Sequence, residues 1–167
     1  MSLLLTAVVS AGVAGVVTLG VEYAAKPRLD ARKERIVERF RRQREAAAAV
    51  DRGSLYIGRL LTYQDEDEII PGRIATLAKQ ALPIYENDAM VLDISDEEIS
   101  NHVISAAARV YVSCLTLAEN KALTDDDWKA LDSASDIVST GAEYAVSGRW
   151  KRRQFDKKLR ASMKTEN

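Results

Sequence analysis

The chain has 167 residues with a formal net charge of -1, and 47% of the residues are hydrophobic while 29% are charged. This composition suits one domain of ordinary size, and it excludes both a disordered polyelectrolyte and a multi-pass membrane protein. A single cysteine and a single histidine exclude an internal disulfide framework, a four-cysteine zinc site and a histidine-rich metal centre. The aromatic content of 6% and the Ala-rich runs predict an all-α fold.

The charges are segregated along the chain. Residues 1–50 carry a net charge of +4, residues 51–147 carry -11, and residues 148–167 carry +6. An acidic middle is therefore flanked by basic ends, which attract anionic surfaces such as lipid headgroups or nucleic acid. We expect a transmembrane anchor, a basic juxtamembrane helix, an acidic helical bundle and a basic amphipathic tail, over residues 1–25, 26–50, 51–147 and 148–167 respectively.

The first segment contains an uncharged run of nineteen residues, Leu3 to Val21. As a helix this run would be about 28 Å long, which matches a bilayer core of about 30 Å. Tyr23 follows the run at a depth where interfacial aromatic side chains are common. A cleaved signal peptide would need a basic start and small residues at its cleavage site, and this segment fits both requirements poorly. The run predicts a single transmembrane helix.

The residues after this run predict its orientation. Between Lys26 and Arg44 there are nine Lys or Arg and three acidic residues. By the positive-inside rule, the N-terminus faces outward and the rest of the chain lies in the cytoplasm, at the plasma (inner) membrane. The anionic inner leaflet is then a predicted partner of Lys26, Arg28, Arg32, Lys33, Trp150, Lys151, Arg152 and Arg153. An ordinary topology signal also explains the basic residues of the second segment, and we favour it over specific recognition of acidic lipid.

Small residues recur every four positions in the predicted anchor, at Ala7, Ala11 and Gly15. Such faces let two helices approach closely in lipid, which makes a homo-oligomer through the anchor a hypothesis. Small residues are also common in single spans that do not associate, and this second interpretation carries at least equal weight.

The second segment is predicted to be a charged, largely solvated helix that leaves the membrane. Pro27 suits the first turn of a helix, and neither glycine nor proline occurs from Arg28 to Val50. Its apolar stripe is thin, because basic residues and Gln43 interrupt it. Gly53 and Gly58 are expected to interrupt or bend the chain that follows.

The third segment is predicted to be a small helical bundle without strands. One helix follows Pro71 and ends or kinks at Pro83. A second helix is expected to begin at a capping box of Ser95 and Glu98 and to stop near Asn120. Its buried face should contain Ile99, Val103, Ala106, Val110, Cys114 and Leu117, widened by Ile104, Ala108, Tyr111 and Leu115. A third helix is expected after the cap residues Thr124 and Asp127, with Trp128, Leu131, Val138, Ala142 and Ala145 buried.

The fourth segment places Phe155, Leu159 and Met163 on one face of a helix that carries many basic residues, with Trp150 at the edge of that face. Three interpretations stay open: the solvated end of the last bundle helix, a helix on a membrane surface, or a nucleic-acid-binding segment. We favour them in that order, so nucleic acid is the weakest candidate partner.

No pattern in the sequence indicates a catalytic, metal or cofactor site, and no cofactor is predicted. Glu98 and His102 share a helix face, but two ligands do not make a zinc site. Cys114 lies on the apolar face and is predicted to be a core residue. The sequence lacks a phosphate-binding glycine loop and a nucleophile elbow, although carboxylate chemistry needs no motif.

These observations favour a non-enzymatic, single-pass membrane protein whose cytoplasmic helical body is an interaction or assembly module for a protein partner that the sequence does not identify. An alternative is a membrane effector whose anchors oligomerise and perturb the bilayer. A carboxylate- or metal-dependent enzyme is a weaker third hypothesis.

Overall fold

The computed structural model describes residues 26–64 and 71–165, so the predicted transmembrane helix and its stripe of Ala7, Ala11 and Gly15 lie outside the described residues. The all-α prediction is confirmed for the described residues, which contain no strand. Their five α-helices are α1 (Lys26–Gln64), α2 (Pro71–Pro83), α3 (Glu97–Ala118), α4 (Asp125–Val146) and α5 (Arg149–Thr165). None of these helices combines the length and the apolarity that crossing a membrane requires.

The chain divides into two compact units between Arg41 and Arg42. Residues Arg42–Asn167 make one of these units, which contains the helical bundle. The described residues of the other unit are 26–41, and they belong to helix α1. The buried residues of the hydrophobic core, from Ala46 to Leu159, all belong to the unit Arg42–Asn167.

Helix α1 runs through Gly53 and Gly58 without interruption, so the expected break at these glycines is wrong. Gly53 is buried, and a Cβ at this position would lie 3.0 Å from Cε2 of Tyr85. The glycine therefore allows the Tyr85 ring to pack closely on α1, which is a tertiary requirement rather than a local one. Gly58 is exposed, and the helix tolerates it at the ordinary cost of a helical glycine.

The segment between α2 and α3 consists of tight helical turns. Helix α2 ends at Pro83, as expected for a proline. A π-helical turn follows over Ile84–Asp88, and a 3₁₀ turn over Ala89–Val91. The Gln43 amide group of α1 holds the end of this segment, because its Nε2 donates to the Val91 carbonyl at 3.0 Å and its Oε1 accepts from the Asp93 amide at 2.8 Å.

Helix α3 is central, since it packs against α2, α4 and α5. The predicted buried face is confirmed, with Ile99, Val103, Ala106, Val110, Cys114 and Leu117 all buried. The expected widening of this face is confirmed at Tyr111, which packs half-buried against the core, and is wrong at Ile104, Leu115 and Ala108, which are exposed. The buried face also widens through Ala107 and Ala118, whose small side chains let neighbouring helices come close.

Helix α3 begins one residue later than expected. The N-cap is Asp96, whose Oδ1 accepts from the Ile99 amide at 3.1 Å, so the predicted capping box of Ser95 and Glu98 is wrong. Both Ser95 and Asp96 are good cap formers, and a local pattern does not distinguish them. Arg160 also contacts the Asp96 carboxylate, at 2.6 Å, and this contact favours Asp96 as the cap.

The loop between α3 and α4 follows the expected capping rules. Asn120 has a φ of 57°, and the amides of Asn120 and Lys121 donate to the carbonyls of Leu117 and Thr116 at 3.0 and 3.1 Å. This is a Schellman ending, in which asparagine tolerates the left-handed conformation. The predicted cap of α4 is confirmed, because Thr124 and Asp127 form a reciprocal capping box.

Helix α4 buries the predicted stripe of Trp128, Leu131, Val138, Ala142 and Ala145. It approaches α3 most closely at Gly141, where a Cβ would lie 2.6 Å from Cγ2 of Val103. Glycine is therefore required at this crossing by the packing of Val103, since the backbone conformation itself is ordinary helix.

Candidate functional site

One face of helix α5 packs against the bundle. Leu159 is 1% exposed, Phe155 packs half-buried against the same core, and Met163 is also half-buried. Their spacing of four residues places these side chains on one side of the helix. The apolar stripe that made the tail a candidate for insertion into a membrane surface is thus part of the protein core.

The opposite face of α5 is basic and carries the exposed Trp150, so the expected position of Trp150 at the edge of the apolar face is wrong. Trp150 is 78% exposed, and Arg153, Lys157 and Lys164 are exposed farther along the helix. Their spacings of three, four and seven residues place all four side chains on one side of the helix. Asp156, the one acidic residue within Arg149–Thr165, is half-buried on another side. We call these four side chains the outer face of α5.

Arg152 differs from the other predicted membrane-surface residues of this segment. Its Nε donates to the Tyr144 carbonyl at 3.2 Å and its Nη2 to the Ala145 carbonyl at 3.3 Å, while its guanidinium lies 5.5 Å from the centroid of the Tyr144 ring. These carbonyls belong to the last turn of α4, where a cation is favourable. Arg152 therefore joins α5 to α4, whereas Lys151 and Arg153 are exposed.

Arg160 connects α5 to the start of α3 through three carboxylates. It contacts Asp96 at 2.6 Å, Glu98 at 3.0 Å and Asp156 at 3.2 Å. The hydrogen bond with Glu98 and the negative charges of Asp156 and Asp96 raise the pKa of Arg160 above its ordinary value. No sequence signal pointed to this cluster, because Asp96 and Arg160 are 64 residues apart.

The two residues considered as metal ligands have other contacts. Glu98 accepts from Arg160, and the His102 ring forms a hydrogen bond of 3.0 Å with the Ser162 hydroxyl. Across residues 26–64 and 71–165, no group of three or more His, Cys, Asp or Glu side chains is arranged to hold a metal ion.

Cys114 is a core residue, as predicted. Its side chain is fully buried, and burial raises the pKa of its thiol to about 12. Nearby, burial raises the pKa of the Tyr85 phenol, an effect that the Ser135 and Ser54 hydroxyls oppose. Tyr85 Oη and Ser54 Oγ are buried without a well-formed hydrogen bond to any described group. The Tyr85 side chain belongs to the hydrophobic core.

An exposed acidic stripe follows helix α4. Asp125, Asp132, Asp136 and Glu143 are all exposed. Their spacings of seven, four and seven residues place them on one side of the helix over most of its length. A surface of this charge attracts basic groups on other molecules.

The basic residues predicted at the membrane surface from the second segment are all exposed on helix α1, namely Lys26, Arg28, Arg32 and Lys33. Lys33 contacts Asp30 one turn earlier, at 3.8 Å, in a pair that is exposed and contributes little to stability. The same part of α1 also exposes large apolar side chains, among them Val37 at 66% and Phe40 at 61%.

No family model, no curated protein and no solved structure matches the chain.

Proposed function

We propose that the chain is a single-pass membrane-anchored protein whose helical unit, residues 42–167, acts as an interaction module at the anionic inner leaflet. The uncharged run Leu3 to Val21 would be the anchor, and the basic residues that follow it would keep the module in the cytoplasm.

The outer face of α5 is the observation that carries this proposal. An exposed tryptophan on the same side of a helix as three cations suits the boundary between headgroups and water, where indole rings are stable and anionic lipid attracts positive charge. Each cation near such a surface contributes about 1 kcal/mol. An anchor in the same chain raises the effective concentration of the membrane surface, so weak contacts become sufficient.

The acidic stripe on α4 supports the proposed role of the helical unit as an interaction module. An anionic leaflet repels Asp132 and Glu143, so the stripe remains accessible to molecules in the cytoplasm. Its charge suits a basic protein partner, and electrostatic attraction of this kind raises the rate of association most strongly at low ionic strength.

Topology is the first test. We expect the full chain to stay in membranes after an alkaline wash, and a C-terminal tag to resist protease in intact spheroplasts until detergent is added. Release by alkali would refute the anchor, and digestion in intact spheroplasts would refute the cytoplasmic location.

Trp150 provides a test of the α5 contact. Trp128 is 8% exposed, so a change in tryptophan quenching by brominated lipid reports chiefly on Trp150. We expect brominated phosphatidylglycerol vesicles that contain the full chain to quench Trp150, and Lys157→Glu to weaken the quenching. Lys129→Glu changes the charge equally on α4, where the Lys129 side chain is 80% exposed, and should have no effect. Equal quenching in both variants would exclude a contact through the outer face of α5.

A further inference from the structure

The part of α1 in the first unit, Lys26–Arg41, exposes four large apolar side chains. Leu29 is 53% exposed, Ile36 is 46%, Val37 is 66% and Phe40 is 61%. Because a helix turns about 100° per residue, Leu29, Ile36 and Phe40 point within about 20° of one direction, and Val37 lies about 80° from it. We call these four residues the exposed stripe.

The charges of this segment are sorted around the exposed stripe. With the direction of Leu29 as zero, Asp30, Glu34 and Glu38 lie at about 100°, 140° and 180°. Within about 90° of Leu29 on either side, every charged residue is basic, and these residues are Lys26, Arg32, Lys33 and Arg39. Cations thus lie on both sides of the line through Leu29, Ile36 and Phe40, and all three acidic residues lie about 100° or more from Leu29.

This arrangement distinguishes between possible occupants of the stripe. Two copies of the chain that paired through it would bring Arg32 and Arg39, or Lys26 and Lys33, against cations of the other copy in either orientation. An anionic lipid surface has the opposite charge, and it accepts an apolar stripe between its headgroups. Charge complementarity therefore favours lipid over a second copy.

The position of the segment in the chain agrees with this choice. Lys26 comes five residues after Val21, the last residue of the uncharged run. If that run spans the bilayer, which is the proposed function on which this inference rests, Lys26 is held at the membrane surface. Insertion of the stripe then needs no separate encounter with the membrane.

We propose that Lys26–Arg41 lies along the anionic membrane surface as an amphipathic helix. The exposed stripe inserts between the headgroups, Arg32 and Lys33 contact lipid phosphates, and Glu34 and Glu38 face water. A helix that leaves the membrane as a solvated stalk would expose both sides equally to water.

Site-specific labels in the full chain test the proposal. In a Cys114→Ala background, Ile36→Cys and Phe40→Cys place a single thiol on the stripe, while Glu34→Cys and Glu38→Cys place it on the acidic side. Each variant is labelled with an environment-sensitive fluorophore and reconstituted into phosphatidylcholine vesicles with about a quarter phosphatidylglycerol. We expect emission at shorter wavelength, and quenching by lipid nitroxide, at positions 36 and 40, and quenching by aqueous iodide at 34 and 38.

A matched charge reversal is the control. Arg32→Glu places a carboxylate beside the stripe and should restore iodide quenching at position 36, whereas Arg35→Glu, about 120° from Leu29, should not. Iodide quenching at all four positions in a chain that stays in alkali-washed vesicles would overturn this inference and leave the anchor intact. Iodide quenching in a chain that alkali releases would overturn both. Disulfide formation between copies at position 40 would show that a second copy covers the stripe, which also overturns the inference.

Discussion

Arg160 and Asp96 join the C-terminal helix to the first turn of the central helix, with 2.6 Å between Nη2 and Oδ2. Asp96 makes a second contact at the same time, because its Oδ1 accepts from the Ile99 amide and caps α3. A single carboxylate thus connects the start of α3 to α5, and the outer face of α5 is held in place by this contact and by Arg152.

Loss of the Asp96 side chain should therefore destabilise the protein. Asp96→Ala removes the α3 cap and one ion-pair partner of Arg160, and we expect the free energy of unfolding to fall by about 1–2 kcal/mol. Urea unfolding of a chain that starts at Lys26, followed by circular dichroism, measures this change. Ser95→Ala is the control and should change stability by less than about 0.5 kcal/mol. A larger effect of Ser95→Ala than of Asp96→Ala would show that Ser95 is the cap after all.

Two helical glycines should respond in opposite directions to alanine. Gly141→Ala places a Cβ 2.6 Å from Val103 Cγ2 and should lower the free energy of unfolding by about 1–3 kcal/mol, despite the better helix propensity of alanine. At Gly58 no atom lies within 4 Å of the added Cβ, so Gly58→Ala should raise stability by about 0.5–1 kcal/mol. The same urea titration reports both values. Stabilisation by Gly141→Ala would contradict the close approach of α3 and α4.

Arg152 and Lys151 are neighbours in sequence but should have separable roles. Arg152→Ala removes the hydrogen bonds to the Tyr144 and Ala145 carbonyls, and we expect a loss of about 1–2 kcal/mol in the free energy of unfolding. Lys151→Ala should leave stability unchanged, because this side chain is exposed. If Lys151→Ala destabilises the protein as much as Arg152→Ala does, the contact between Arg152 and the end of α4 is not formed.

The buried thiol of Cys114 should make stability fall at alkaline pH. The folded protein holds its pKa at about 12, above the ordinary value of 9.0, so the unfolded chain releases this proton at lower pH than the folded one. Stability from this group is complete below pH 9 and is lost as the pH rises toward the folded value. Thermal midpoints of the wild type should fall more steeply than those of Cys114→Ala between about pH 8 and pH 11. Parallel curves would place the thiol in water.

The buried position also predicts slow reaction with thiol reagents. At neutral pH, Cys114 should react with a disulfide reagent only at the rate at which the protein opens, and rapidly after unfolding in urea. Val112→Cys in a Cys114→Ala background is the control, since Val112 is 58% exposed and its replacement should react at once. Equally fast reaction of the native chain would contradict burial of Cys114.

Local patterns predicted the helices and much of their buried faces. The period of apolar residues placed Val103 and Val110 in the core, and the pair Thr124 and Asp127 marked the start of α4, because these signals depend on residues within one or two turns. The same kind of evidence failed at Gly53, where a local rule predicts a break. The decisive contact there comes from Tyr85, which lies in a different helical turn far along the sequence.

The sequence by itself determined the all-α architecture, the charge segregation, the helix end at Pro83 and the helix stop near Asn120, since each follows from backbone preferences or from composition. Only the tertiary structure decided which face of α5 is buried, and therefore that Trp150 and Lys157 lie outside while Leu159 lies in the core. It also decided that Asp96, rather than Ser95, caps α3. Both choices depend on helices that meet across long separations in the chain, and at such positions the burial of apolar area and the pairing of Arg160 outweigh local propensity.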